Sequence, residues 1–80
     1  MRYLAAPNVE PGDDWAARIQ VALDQVPAEN REPFLLFEYQ GLSYAEIAEV
    51  MKLTVPAVKS RIYRSREQLR DLLEPYYKED

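Results

Sequence analysis

The sequence predicts an all-α fold, a small domain of four helices, and three observations lead to this prediction. Apolar residues recur every three or four positions along most of the chain, which is the period of an amphipathic helix. No segment shows the strict two-residue alternation of a half-buried strand. Eighty residues form one domain at most, and a hydrophobic content of 48% is ample for a small helical core.

The first helix is predicted from an apolar stripe between two boundaries. Residues 1–12 are rich in proline, asparagine and glycine, and they are predicted to form a linker or arm. Asp13 or Asp14 then caps a helix, and Pro27 ends it. The stripe has a spacing of about four residues and consists of Trp15, Ile19, Leu23 and Val26.

The second helix is predicted to cover residues 30–40, and a proline decides where it begins. Pro33 lacks a backbone N–H, and in a helix interior this loss costs about 3 kcal/mol. A helix that began at Ala28 would suffer it, whereas an N-cap at Asn30 places the proline in the first turn, where no intrahelical donor is needed. We therefore expect a start at Asn30 or a break near Glu32.

Gly41 is predicted to stop the second helix, and a capping box starts the third. Ser43 is followed three residues later by Glu46, so each side chain can accept a hydrogen bond from the backbone of the other residue. The apolar stripe that follows predicts a short helix with one buried side, and it consists of Ile47, Ala48 and Met51.

Lys52 and Leu53 form a short turn that leads to a fourth, longer helix. Thr54 is a good N-cap residue, and Pro56 falls in the first turn, where its missing N–H leaves no acceptor unsatisfied. The inward stripe of this helix consists of Val58, Ile62, Ser65 and Leu69.

Pro75 is predicted to end the fourth helix, so that the domain covers residues 13–75 and residues 76–80 form a polar tail. A short helix, a three- or four-residue turn and a longer helix are the parts of a helix-turn-helix. We therefore expect a C-terminal helix-turn-helix without winged elements.

Charge is distributed unevenly along this chain of net charge −4. Residues 51–70 carry six Lys or Arg against one Glu, a net charge of +5, whereas residues 1–50 carry −6 and residues 71–80 carry −3. Cations concentrated on one helix of an acidic chain are an electrostatic footprint for phosphate. We expect DNA binding that is weak, salt-sensitive and assisted by a larger assembly, because the acidic remainder repels the DNA backbone.

The composition excludes several kinds of chemistry. The sequence contains neither Cys nor His, so disulfides, thiol nucleophiles, zinc-finger ligation and His-based acid–base catalysis are impossible. Acidic pairs such as Asp13–Asp14 are explained as caps and solvated faces, and we expect no enzyme, metal or cofactor. No apolar run approaches the ~18 residues of a membrane span and no signal peptide is evident, which predicts a cytoplasmic protein without a membrane partner.

Four motifs between Asp24 and Leu73 carry a specific resemblance. They are Val-Pro-x-x-x-Arg-Glu at residues 26–32, Phe-Leu-Leu at 34–36, Gly-Leu-Ser-Tyr-x-Glu-Ile-Ala at 41–48, and Val-Pro-x-Val-Lys-Ser-Arg-Ile-x-Arg-x-Arg at 55–66. In this order and spacing, the segment resembles region 4 of bacterial sigma factors, most closely the extracytoplasmic-function (ECF) group.

The resemblance implies a helical domain that reads the upstream (−35) element of double-stranded promoter DNA as a monomer and docks on the β flap of RNA polymerase core. It implies DNA contacts from one face of the fourth helix, which carries Lys59, Ser60, Tyr63 and Arg64. Helical spacing agrees, because this face lies opposite the inward stripe. Lys or Arg can donate to guanine O6 and N7, and a hydroxyl can serve a base or a phosphate.

Further candidates for DNA contact flank this face. Thr54 and Pro56 lie at the start of the same helix, and Tyr44 matches a phosphate-contacting position of the family. Packing against another helix is an equal alternative for Tyr44. Arg61 and Arg66 lie off the central face, where contacts to the DNA backbone or to Glu side chains suit them better than base reading.

The expected DNA-binding face has alternatives and departures from the family pattern. Lys59 and Arg64 can also be ordinary solvated cations, and Tyr63 can pack on a neighbouring helix. Ala57 stands where the family often has Thr, so one polar contact is expected to be missing. Phe37 stands where many members place an Arg that reaches DNA, and here it is assigned to a hydrophobic surface.

Aromatic residues suggest a second surface. Trp15, Phe34, Phe37 and Tyr39 supply more aromatic area than a four-helix domain of this size must bury, although core packing is the simpler explanation. The alternative is an apolar groove formed with Phe34, Phe37 and Tyr39, in which a polymerase flap helix or an inhibitory anti-sigma factor binds. Full burial of all three would contradict this hypothesis.

Two other functional classes remain open. One is a dimeric helix-turn-helix domain of the response-regulator output type, which binds half-sites about one helical turn apart. The other is a degenerate sigma-like module that binds an anti-sigma factor or polymerase without reading DNA, as Ala57 and a pI near 4.8 would allow. The chain is expected to be either an excised domain or a standalone protein, and the linker-like residues 1–12 favour excision.

Overall fold

A computed structural model describes residues 15–77 of the chain. The four helices in this range are α1 (Trp15–Gln25), α2 (Ala28–Glu38), α3 (Tyr44–Met51) and α4 (Val55–Tyr77). No strand occurs between residues 15 and 77, so the predicted all-α fold of four helices is confirmed. The predicted arm and the cap at Asp13 or Asp14 lie outside the described residues.

α4 is the longest helix, and each of the other three packs against it. Its 23 residues give it a length of about 35 Å. The N-terminal part of α4 packs on α2 and α3 around an aliphatic core that consists of Ile47, Ala48, Val58 and Ile62. The C-terminal part lies along α1, where Ala22, Leu23 and Leu73 are buried. The helix-turn-helix and α1 are therefore connected through a single long helix.

The predicted start of the second helix is wrong, because α2 begins at Ala28 and continues without a break through Pro33. Pro33 is fully buried, and its missing N–H would have donated to the carbonyl of Glu29. That carbonyl instead accepts a hydrogen bond from Arg61 Nη1 at 3.4 Å. The adjacent carbonyl, of Asn30, accepts from the Ser65 hydroxyl. Side chains of α4 thus supply donors to the part of α2 that the proline leaves incomplete.

The connection from α2 to α3 is a tight reversal at Gly41. The backbone of Gly41 has φ 75, a left-handed conformation in which glycine has no steric penalty. The N–H of Leu42 donates to the carbonyl of Leu36 at 3.1 Å, which satisfies an acceptor at the end of α2. The predicted end of this helix at Gln40 is wrong, because α2 ends at Glu38, and Gly41 forms the reversal that follows it.

The predicted end of α4 is also wrong, because the helix passes Pro75 and ends at Tyr77. A proline in the last turn removes only its own hydrogen bond, which would have reached the carbonyl of Asp71. The Arg18 guanidinium lies 4.2 Å from the centre of the Tyr76 ring, so α1 contacts this last turn. Tyr76 therefore lies within α4.

Two kinds of feature are missing from the part of the chain that the structure describes. None of its four helices combines the length and the apolar character that crossing a bilayer requires. No group of three or more acidic side chains within residues 15–77 is arranged to hold a metal ion.

Candidate nucleic-acid interface

α3 and α4 are joined by a three-residue turn that each helix stabilises with a local cap. Lys52 adopts a left-handed conformation, φ 58 and ψ 48, and the N–H of Leu53 donates to the carbonyl of Ala48 at 2.9 Å. Thr54 then caps α4, since its hydroxyl accepts from the N–H of Ala57 at 3.2 Å. This confirms the turn and the N-cap expected from the sequence.

The start of α3 has both hydrogen bonds of the predicted capping box. The N–H of Glu46 donates to Ser43 Oγ at 3.1 Å, and the N–H of Ser43 donates to Glu46 Oε1 at 2.8 Å. On the other side of this helix, Ile47 and Ala48 are buried against Val58 and Ile62 of α4. The two helices of the helix-turn-helix are therefore held by a dry aliphatic contact and by local caps.

The outward face of α4 presents the predicted DNA-binding side chains together. Lys59, Ser60, Tyr63 and Arg64 are all exposed, and Tyr63 exposes 62% of its surface. Tyr63 therefore does not pack into a neighbouring helix, which was the alternative for it. Thr54 and Pro56 are exposed at the start of the same helix. The face combines cations, hydroxyls and one aromatic ring, which suits contact with base edges and phosphates.

Tyr44, at the beginning of α3, has a well-defined packing partner. Its ring stacks on Phe37 of α2, with the centroids 4.8 Å apart and 26° between the planes. The ammonium of Lys59 lies 5.7 Å from the centre of the Tyr44 ring. The helix-packing alternative for Tyr44 is thus realised, and a phosphate contact by its hydroxyl stays a prediction.

Arg61 and Arg66 flank the buried stripe of α4, and both reach α2. Arg61 is half-buried and donates to the Glu29 carbonyl, as described above. Arg66 forms an ion pair with Glu38, with Nη2 and Oε2 2.8 Å apart, and its guanidinium lies 5.6 Å from the centre of the Phe37 ring. Both were candidates for DNA contact, and the free protein gives both an intramolecular partner.

The ion pair fixes the charge state of Arg66. Its hydrogen bond to the Glu38 carboxylate raises the pKa of the Arg66 guanidinium above an already high ordinary value. A raised pKa in a cation means that the contact stabilises the fold below the ordinary pKa and is lost only when the pH rises through the higher one. Arg66 therefore stays positively charged, and keeps its side of the ion pair, across the neutral pH range.

The cations of the basic segment thus fall into two groups. Arg61, Arg66 and Arg70 have oxygen partners, and the partner of Arg70 is Glu67 at 2.8 Å. In the described range, neither an ion pair nor a side-chain hydrogen bond occupies Lys52, Lys59 or Arg64. The second group is available to an external phosphate or base.

The aromatic residues of the predicted second surface differ in exposure. Phe34 and Phe37 are half-buried and pack against the aliphatic core, whereas Tyr39 exposes 52% of its surface. Because the three are not all fully buried, the groove hypothesis is not contradicted. Tyr39 is the member that offers most area to a partner.

Some contacts at this interface were not predicted from the sequence. Asn30 is buried, its Nδ2 lies 3.4 Å from Gln68 Oε1, and its carbonyl accepts from Ser65. Ser65, a polar residue within an apolar stripe, was the available signal for a buried hydrogen bond. Nothing local signals the pairing of Glu38 with Arg66, because the two residues are distant in sequence.

Comparison with known proteins agrees with this geometry. The family model described as "Sigma-70, region 4" matches residues 16–69, about two thirds of the chain. RNA polymerase sigma-H factor of Pseudomonas aeruginosa is 39% identical over 67 residues, which cover 84% of this chain and 35% of that protein. ECF RNA polymerase sigma factor SigE of Mycolicibacterium smegmatis is 46% identical over 57 residues, 71% of this chain and 22% of that protein.

A third relative, ECF RNA polymerase sigma-E factor of Haemophilus influenzae, is 38% identical over 53 residues, 66% of this chain and 28% of that protein. The chain therefore spans about a third or less of the length of these curated relatives. The match covers the helix-turn-helix and the helices that support it. The chain belongs to the sigma-70 region 4 family, and within it to the ECF group.

Proposed function

We propose that this chain is the promoter-reading domain of an ECF-type sigma factor and that it binds the −35 element through the outward face of α4. The observation that carries the proposal is the cluster of exposed side chains at Lys59, Ser60, Tyr63 and Arg64 on the second helix of a capped helix-turn-helix. An α-helix of this kind fits the major groove of B-DNA, where guanine presents two acceptors to a cation. The domain binds promoter DNA in the cytoplasm.

Affinity and salt dependence follow from the grouping of the cations. Each phosphate that a protein cation neutralises contributes about −0.9 to the slope of log K against log salt. If only Lys52, Lys59 and Arg64 contact phosphates, the slope is about −3, whereas six contacting cations would give about −5. The acidic remainder of the chain opposes binding, so we expect modest affinity in isolation.

The test is fluorescence anisotropy of a labelled duplex that carries a GGAAC-type upstream element, with a scrambled duplex as the control, across a salt series. We expect a preference for the intact element, one chain per duplex, and a slope near −3. Two chains per duplex would instead support a dimeric output domain. Equal and very weak binding to both duplexes would overturn promoter recognition and leave protein–protein interaction as the function.

The same proposal includes docking on the flap of the polymerase β subunit. Tyr39 is the exposed member of the aromatic set, and Phe34 and Phe37 line the adjacent half-buried surface. Titration of the labelled chain with an isolated flap fragment should show binding that Tyr39→Ala weakens, with Tyr63→Ala, on the outward face of α4, as the control. Unchanged flap binding in Tyr39→Ala, or binding only to an anti-sigma factor, would contradict this part.

A further inference from the structure

Two aromatic rings lie between the cations of α4 and form a continuous stack at the junction of three helices. Phe37 of α2 and Tyr44 of α3 are stacked at 4.8 Å, and each ring has a cation of α4 beside it. Lys59 Nζ lies 5.7 Å from the centre of the Tyr44 ring, and Arg66 Cζ lies 5.6 Å from the centre of the Phe37 ring. We refer to Phe37 and Tyr44 as the aromatic pair.

The spacing of the two cations makes this arrangement possible. Lys59 and Arg66 are seven residues apart, which is two helical turns, so they lie on nearly the same side of α4 and about 10.5 Å apart along its axis. Lys59 lies at the edge of the outward face, and Arg66 lies two turns further along, next to α2. The aromatic pair occupies the space between them.

The Arg66 end of the stack is fixed by a second interaction. Arg66 also pairs with the carboxylate of Glu38, the residue that follows Phe37 in α2. This pair restrains the guanidinium and the last turn of α2 together. The aromatic pair consequently has a defined position relative to α4, and Tyr44 cannot move away from Lys59 without disturbing the Phe37 contact.

The Lys59 end is different, because Lys59 has no carboxylate partner within residues 15–77. A free lysine side chain populates many rotamers, and a binding partner must restrict them at a cost in entropy. The electron-rich face of the Tyr44 ring attracts the ammonium and reduces that freedom before DNA arrives. The contact leaves the charge unneutralised, unlike an ion pair, so the cation remains available to an acceptor on DNA.

We propose that the aromatic pair is a positioning device for Lys59 and that Phe37 and Tyr44 contribute to base discrimination through this lysine. The inference rests on the proposed function, because it assigns the purpose of the stack to promoter reading. Tyr44 acts directly on Lys59, and Phe37 acts through Tyr44. An exposed cation–π contact corresponds to about a two- to fivefold effect on an equilibrium constant.

The first measurement needs no DNA. In the free chain, the terminal methylene protons of Lys59 should resonate upfield of their random-coil positions, because the adjoining Nζ lies 5.7 Å from the centre of the Tyr44 ring. Tyr44→Phe should retain this shift, and Tyr44→Leu should remove it. Random-coil positions for Lys59 in the parent chain would overturn the proposal, whether or not the variants fold.

The second measurement is the affinity ratio between the intact and the scrambled duplex. We expect Tyr44→Leu to lower this ratio about two- to fivefold, Phe37→Leu to lower it less, and Tyr44→Phe to preserve it. In the Lys59→Ala background, Tyr44→Leu should have no additional effect, because the residue it positions is gone. Tyr76→Leu is the matched control, since it removes a tyrosine whose ring contacts another cation, Arg18, in the last turn of α4 and outside the stack.

The outcomes separate the two proposals. A parent chain that prefers the intact element while Tyr44→Leu retains the full ratio would overturn the positioning role alone. A parent chain that shows the Lys59 shift but no preference between duplexes would overturn the proposed function and the purpose assigned to the stack. If Tyr44→Phe lowered the affinity ratio as far as Tyr44→Leu does, the hydroxyl and not the face of the ring would be responsible, and positioning of Lys59 by the ring would be overturned.

Discussion

The outward face of α4 and its two flanks carry the same kinds of cation and use them in different ways. On the outward face, Lys59 and Arg64 have no oxygen partner within the described residues. On the flanks of the buried stripe, Arg61 reaches the Glu29 carbonyl and Arg66 pairs with Glu38. The first group is available to DNA, and the second joins α4 to α2.

This difference shows that net charge alone overstates the size of a nucleic-acid interface. The sequence places a charge of +5 on residues 51–70, yet half of the six cations are occupied inside the domain. A flank cation that binds α2 fixes the orientation of the helix and does not add a phosphate contact. The intramolecular partner of each cation therefore separates the cations that contact the rest of the domain from those that are available to DNA.

The largest expected effect is loss of an outward cation. Arg64→Ala should weaken binding to the promoter duplex by about 1–3 kcal/mol and relax base preference where the side chain meets guanine, and Lys59→Ala should act in the same direction. Arg70→Ala is the matched control, because it removes the same charge from the same helix at a residue paired with Glu67. Fluorescence anisotropy measures all three, and equal losses in Arg64→Ala and Arg70→Ala would show that the two groups are not distinct.

A second comparison uses two serines of α4. Ser65 is fully buried and donates to the Asn30 carbonyl, whereas Ser60 is exposed on the outward face. Ser65→Ala removes this buried hydrogen bond and should lower the free energy of unfolding by about 1–2 kcal/mol, measured by denaturant titration. Ser60→Ala should leave stability within about 0.5 kcal/mol of the parent and affect only DNA binding. The reverse order of stabilities would contradict the assignment of the two faces.

The smallest expected effect comes from releasing a flank cation. Glu38→Gln removes the charge that holds Arg66, so this cation becomes available to a phosphate. Affinity for both duplexes should rise about two- to threefold, and the salt slope should become steeper by about one unit. Glu32→Gln changes the net charge equally without touching the pair, and an equal rise in both variants would attribute the gain to net charge alone.

Local patterns were sufficient to predict α3 and the start of α4. The Ser43–Glu46 capping box and the Thr54 cap are formed by residues within three positions of one another, so the sequence contains all that is needed. The prediction for α2 was wrong because it treated Pro33 as a local problem. Donors from Arg61 and Ser65, which lie about thirty residues away, satisfy the carbonyls near it.

In the candidate site, too, the features that depend on local sequence were predicted and those that depend on tertiary contacts were not. Spacing along one helix predicted that Lys59, Ser60, Tyr63 and Arg64 share an exposed face, because a helix fixes the directions of its side chains. The stack of Phe37 on Tyr44 depends on how α2 packs against α3, and no periodicity within either helix contains that information. Tertiary partners of Arg61 and Arg66 were beyond prediction for the same reason.

The dependence of α2 on α4 has a consequence for how the chain folds. A helix of 11 residues with a proline at its centre and no side-chain cap has little stability as an isolated peptide. Its incomplete turn receives a donor from Arg61 only when α4 docks, so α2 is expected to gain structure together with α4, and intermediates that contain α2 without α4 are disfavoured. Folding should therefore be cooperative, and side chains at the α2–α4 contact should be partly formed in the transition state, with intermediate φ-values.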